Sequence, residues 1–276
     1  MKVLGVVGPS DAGKTSLVER LVDRLGERGS VATVKHCTHE PDVDTAGKDT
    51  ARHRAAGADV TYGLTDDDGW FAAGADRSLG ETLDDLAPDY DYVVIEGYSG
   101  AAVPQVVLGD REHRGEALAT GETADAIDTG EILDALAETE PHETLGSLVQ
   151  RVKESPRAER AGAIATFTGR VRAKDSPDDE PTKSLEFEKY EGVADDRMEA
   201  ISAELEEREG VLDVVMHHRT GVIDYGEDIV FVVVLAGHRG EAFRTVEDGI
   251  NRLKDEVPLF KKEVTVDEEF WVHERE

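Results

Sequence analysis

Two groups of residues in this 276-residue chain have the types and spacing that do chemistry. The first is GPSDAGKT, Gly8 to Thr15, which fits the pattern G-x4-G-K-[ST] between an apolar run and a helical pattern. Such a loop holds phosphate. Its glycines let backbone N–H groups face the oxygens, the helix N-terminus adds its positive end, the lysine reaches the terminal phosphates, and the hydroxyl ligates Mg²⁺. Gly8, Pro9, Ser10, Asp11, Ala12, Gly13, Lys14, Thr15 and Ser16 are therefore the expected nucleotide-binding loop, with Thr15 on the metal. DYVVIEGY is an apolar run ending in an acid, and Glu96 is expected beside the same Mg²⁺. No N-K-x-D element is present, so the residues favour neither guanine nor adenine.

The second group is cationic in a chain of net charge −30. Of 11 lysines none lies between Lys48 and Lys153, yet Lys254, Lys261 and Lys262 fall within nine residues. Arg170 and Arg172 alternate around Val171, which in a strand puts both on one side. His238 and Arg239 stand where a strand-like run meets a helical pattern, Lys254 lies near that helix's end, and Lys261 follows Pro258. We read Arg172, His238, Arg239, Lys254 and Lys261 as a set that faces an anion, because element ends beside turns are where sites sit. A lysine partly desolvated among other cations can act as base or nucleophile. Arg170, Lys174 and Lys262, taken singly, read as surface counter-charges. His36, Cys37 and His39 invite zinc, but no second ligand pair stands nearby, so a polar loop beside the nucleotide is expected instead.

These residues need elements to hold them. Residues 1–110 alternate strand-like runs (VLGVVG, SVATVKH, YDYVVIEGY) with helical or polar stretches, which predicts an α/β domain with a mainly parallel sheet. Residues 111–146 offer one helix, GEILDALAETE, to close it. Residues 147–276 read as a smaller α+β domain. In it AGAIATFTGRVRA is a strand with a buried first half, and LEFEKY alternates as a half-buried strand. Met198, Ile201 and Leu205 share one helix face. Phe243, Val246, Ile250, Leu253 and Val257 recur at helical spacing as the buried face of the last helix. The expected boundaries are 1–140 and 147–276, with a linker at 141–146.

Composition narrows the class. No apolar stretch is long enough to span a membrane, and the N-terminus lacks a signal-peptide pattern. The single cysteine, Cys37, fits a reducing cytoplasm. Acids are dispersed, as on a solvated surface, and nucleic acid is not an expected partner because phosphate contacts need clustered Lys and Arg.

The P-loop, the KH-x-x-H stretch, the D-x-D-x-x-GKD-x-x-RHR-x-AGA stretch and the strand ending in EGY together resemble the MobB family over residues 1–140. That resemblance implies a domain binding GTP, or another nucleoside triphosphate, with Mg²⁺, which assists molybdopterin-guanine dinucleotide formation beside a MobA-type guanylyltransferase. GAIATFTGRVR, the HRTG turn, AGHR before a helix, LKDEVPLFKKE and the terminal FWVHER resemble the MoaE family, the large subunit of molybdopterin synthase, from residue 147 onward. By that resemblance Lys254 and Lys261 match the two active-site lysines, Arg172 and the His238–Arg239 pair match substrate-binding residues, and Phe167 matches an apolar residue of the same region. Arg275 matches a C-terminal arginine that reaches a neighbouring subunit's site. The implied reaction moves sulfur to cyclic pyranopterin monophosphate (precursor Z) from the C-terminal Gly-Gly thiocarboxylate of a MoaD-like, ubiquitin-fold small subunit. It implies no cofactor for this domain, and a homodimer through it. The expected function is therefore a fused molybdenum-cofactor enzyme. The alternative is a nucleotide-regulated adapter that docks the sulfur carrier without catalysis.

Overall fold

The computed structural model describes residues 1–39, 47–174, 176–190, 192–265 and 269–272. The chain forms two compact units, Met1–His142 and Glu143–Glu276.

In chain order, unit one contains β1 (Lys2–Val7), α1 (Lys14–Gly26), β2 (Val31–Lys35), α2 (Asp49–Ala55), β3 (Val60–Leu64) and β4 (Trp70–Gly74), then α3 (Leu79–Leu86), β5 (Tyr92–Glu96), β6 (Gln105–Leu108), β7 (Ala117–Gly121) and α4 (Thr129–Glu138). Five strands form a parallel sheet in the order β2-β5-β1-β6-β7. β1 is an unbroken apolar run because both of its faces are covered. Leu4 and Val6 pack with Leu17, Leu21 and Leu25 of α1 and Ile132, Leu133 and Leu136 of α4, while Val3 packs with Leu83 of α3. Each of those fully buried leucines contributes about 1.5–3 kcal/mol. α3 starts where it does because Ser78 and Glu81 form a capping box.

Three features escape the sequence pattern. β6 is only four residues long, and β7 (ALATG) is poor in strand formers, so neither stands out. β7 forms because β6 offers it a ladder. Residues 60–74 form an antiparallel hairpin, β3 with β4, apart from the main sheet.

Unit two contains α5 (Leu145–Lys153), β8 (Ala163–Arg170), β9 (Thr182–Lys189), α6 (Val193–Glu206), β10 (Val211–His218), β11 (Gly221–Asp224), β12 (Asp228–Ala236), α7 (Arg239–Glu256), β13 (Leu259–Thr265) and β14 (Glu269–Val272). One antiparallel sheet runs β10-β12-β8 and a second runs β11-β9-β13-β14. β12 is the apolar spine. Val230, Val232 and Val234 face α6 and α7, and Phe231, Val233 and Leu235 face α5. Met198, Ile201 and Leu205 of α6 are buried together, as their spacing predicts.

Two expectations fail here. The first half of β8 is buried on one side only: Ala163 and Ala165 meet the core of α6 and α7, but Ile164 is exposed, because the apolar cluster of α5 draws on β10 and β12 and not on β8. Phe243 is 67% exposed rather than part of the core. The buried arc of α7 is centred on Ala242, Thr245, Gly249 and Leu253, and Phe243 lies about a quarter-turn from it. The helix approaches the sheet through small residues, and a Cβ on Gly249 would already sit 3.1 Å from both Met216 and Val232.

Candidate functional site

In unit one, the chain leaves β1 at Val7 and enters α1 at Lys14 through a loop that only glycine permits at two points. Gly13 holds φ +86°, and a Cβ there would lie 2.9 Å from the Ala124 Cβ. A Cβ on Gly8 would lie 2.8 Å from Leu108 Cβ. No side chain caps α1 and no acid stands in its first turn, so its N-terminal N–H groups are left to an anion. Lys14 folds over the loop, its Nζ donating to the carbonyls of Gly8 at 2.9 Å and Pro9 at 2.6 Å. Thr15 and Glu96, predicted as a metal pair, meet: Thr15 Oγ1 donates to Glu96 Oε2 at 3.2 Å, and Lys35 Nζ donates to Glu96 Oε1 at 3.0 Å. A hydroxyl and a carboxylate side by side at a phosphate loop are the hard oxygen donors that Mg²⁺ takes alongside phosphate and water, so the residues fit the ion.

A cavity of about 410 Å³ opens onto this loop, lined by Gly8, Lys14, His36, Glu96, Tyr98 and Arg111 among others. The polar loop after β2 is therefore beside the phosphate cradle, with His36 stacked on Tyr98 at 4.4 Å. Among the described residues no group of three or more His, Cys, Asp or Glu is placed to hold a metal. Arg111, whose Nε donates to Ser99 Oγ at 3.3 Å, was not picked out in the sequence because it sits in an otherwise unpatterned acidic stretch.

In unit two, a hollow of about 1020 Å³ lies between the second sheet, the C-terminal end of α7 and the ends of β8 and β12. Both lysines line it. Lys254 comes from the last turn of α7. Lys261 comes from β13, opposite Phe187 of β9. Strand alternation puts Lys261 and Glu263 on the same sheet face as Leu185 and Phe187, the face that lines the hollow. Pro258 stands between the end of α7 and the start of β13, so the two lysines reach the hollow from different elements. Phe167 and Arg172 line the same space. So does Arg170, which ion-pairs with Asp228 at 3.1 Å, as a counter-charge should.

His238 and Arg239 do not line it. His238 is the N-cap residue of α7 and Arg239 its first residue, both exposed. Lys254 is 15 residues further along the same helix, which at 1.5 Å per residue is about 22 Å. Arg275 lies outside the described residues. His218, the first residue of the HRTG turn, was given no site role in the sequence, yet it lines the hollow. Its ring is buried edge-on against Phe187 at 4.7 Å, and Nδ1 lies 2.7 Å from the Arg219 carbonyl. Burial pushes its pKa down to about 4.

The family model for MobB, molybdopterin guanine dinucleotide synthesis protein B, matches residues 3–128, and that for the MoaE protein matches residues 139–256. A protein of Haloferax volcanii described as a probable molybdopterin synthase is 55% identical over 275 residues, covering 100% of both chains. The chain belongs to the molybdopterin synthase family, as a MobB–MoaE fusion. It is thus an enzyme of molybdenum-cofactor biosynthesis. The molybdopterin synthase catalytic subunit of Bacillus subtilis is 40% identical over 112 residues, covering 41% of this chain and 70% of its own. That of Pyrococcus abyssi is 37% identical over 111 residues, covering 40% of this chain and 74% of its own. Among the described residues of the synthase no helix is long and apolar enough to cross a membrane.

Proposed function

We propose that the MoaE unit transfers sulfur from the Gly-Gly thiocarboxylate of a MoaD-like small subunit to precursor Z, forming molybdopterin. The observation that carries this reading is the convergence of Lys254 and Lys261 on one hollow with Arg172 and Phe167. The thiocarboxylate sulfur bonds to a side-chain carbon as a C–O bond at that carbon breaks. Water then cleaves the acyl–sulfur bond and leaves the small subunit with a carboxylate, and fixed donors stabilise the oxyanions formed on the way. Lys261, held on the sheet face, is the group for acid–base work or for stabilising the intermediate. Lys254, at the helix end, sits where the partner's C-terminus would lie. Arg172 supplies charge for the substrate phosphate and Phe167 an apolar wall.

His238 and Arg239 are about 22 Å along α7 from Lys254, so in this reading they serve the hollow of a second copy, together with Arg275. The working form is then a homodimer through the MoaE unit. The MobB unit binds GTP or another nucleoside triphosphate and assists guanine dinucleotide formation with a MobA-type partner. Its bound Mg²⁺, held by Thr15 and Glu96, would neutralise phosphate charge; Lys14 and the backbone of Gly8–Gly13 orient the phosphates.

The test mixes the full chain with precursor Z and thiocarboxylated small subunit. Molybdopterin is expected, and Lys261→Ala should lower its formation about 10²–10³-fold while the small subunit is still captured. Capture without product by the unsubstituted chain overturns the reading in favour of an adapter.

A further inference from the structure

The hollow is rich in donors. Four of its lining side chains, Arg170, Arg172, Lys254 and Lys261, are cations that only donate hydrogen bonds. Its carboxylate, Glu263, already accepts from the Thr182 hydroxyl. Such a lining recognises phosphate or carboxylate but offers the N–H groups of a pterin ring few side-chain acceptors, Glu263 and the hydroxyls of Thr168 and Thr182. A buried donor left unpaired weakens binding.

His218 supplies a further acceptor, and a neutral one. A carbonyl only accepts, so the 2.7 Å contact from Nδ1 to the Arg219 oxygen fixes the proton on Nδ1. That leaves Nε2 as the lone-pair nitrogen. The ring is 6% exposed and set edge-on against Phe187, at the end of β10 opposite Val230, and both of those neighbours line the hollow. We infer that His218 is a substrate-recognition residue, its Nε2 accepting a hydrogen bond from an N–H of the pterin ring. This rests on the reading of the hollow as the pterin site. Protonation would destroy the acceptor. Burial opposes it, as do His217 and Lys189 beside the ring. Arg170, Arg172, Lys254 and Lys261 are the cations that line the same hollow, and Glu263 is its acid.

The experiment measures steady-state turnover of precursor Z with thiocarboxylated small subunit for the full chain, His218→Phe and His218→Gln. Phenylalanine keeps the ring and its packing but has no acceptor; glutamine places an oxygen near the Nε2 position. His218→Phe should raise KM for precursor Z about tenfold or more. Its kcat should fall less, and its melting temperature and small-subunit affinity should stay at the unsubstituted values. His218→Gln should recover part of the KM. An unchanged KM in His218→Phe overturns the inference, as does equal damage in both variants with a lowered melting temperature, which would mark a packing residue. Absence of turnover in the unsubstituted chain strikes the sulfur-transfer reading instead. Direct binding of precursor Z to the same three proteins then decides on His218, by the same order of affinities.

Discussion

The phosphate cradle and the lysine hollow solve opposite problems. The cradle is made by one contiguous loop, Gly8 to Thr15, whose chemistry is mostly backbone: a positive φ at Gly13, a close approach at Gly8, a helix start without a cap. The hollow draws on β8, β9, β10, β12, α7 and β13, which span Phe167 to Glu263, and its chemistry is side chains. A backbone site tolerates little added bulk. A side-chain site tolerates little truncation. That contrast predicts which substitutions hurt where.

The largest effect is expected at the hollow. Lys261→Ala should lower molybdopterin formation about 10²–10³-fold, the cost of removing one preorganised charge-stabilising donor. Nucleotide affinity should not move. A turnover loss below threefold would break the contrast. Next comes the reverse operation at the cradle, where adding one methyl should do what truncation does elsewhere. Gly13→Ala must adopt φ +86° and place its Cβ 2.9 Å from Ala124 Cβ. The backbone strain alone is about 1–2 kcal/mol, so nucleotide affinity, read by calorimetry, should fall about tenfold or more.

How much of this was legible follows from the same contrast. The cradle was readable as a local pattern because Gly8, Gly13, Lys14 and Thr15 are neighbours in sequence. Glu96 meets Thr15 because it ends an apolar strand parallel to β1. The hollow was readable only as a set of cations at element ends. Local reading put His238 and Arg239 in that set, but within one chain they stand at the far end of an 18-residue helix from Lys254. It gave His218 no role, although the residue opens the HRTG motif; its place beside Phe187, which lies on another sheet, comes from tertiary packing that no local pattern shows. Phe243 was placed in the core because large apolar residues were weighed above Ala242, Thr245 and Gly249, the small residues through which the helix approaches its neighbours.

Smaller effects sharpen the comparison by separating stability from chemistry. Glu143 is buried at the start of unit two, accepting from Ser147 Oγ at 2.6 Å and paired with Arg151. Burial pushes its pKa up, but the Ser147 hydrogen bond and the Arg151 charge, with smaller contributions from other positive groups, hold it below the usual carboxylate value. A depressed folded pKa means the stability is present above the unfolded value and is lost as pH falls through the folded one. Glu143→Gln should therefore cost about 1–3 kcal/mol at neutral pH, read by denaturant unfolding, with the deficit closing under acid. Neither turnover per folded molecule nor nucleotide affinity should change. The smallest effect is Phe243→Ser, on the open side of α7: within about 0.5 kcal/mol by the same unfolding measurement. A large loss there would show the side chain to be covered in solution.

The most direct measurement pairs two readouts on two variants of the full chain: nucleotide affinity and sulfur transfer to precursor Z, in Lys14→Ala and Lys261→Ala. Two separate sites predict a clean exchange, with Lys14→Ala losing nucleotide but keeping transfer and Lys261→Ala doing the opposite. If either substitution abolishes both properties, or neither touches transfer, the assignment of one chemistry to each unit is wrong.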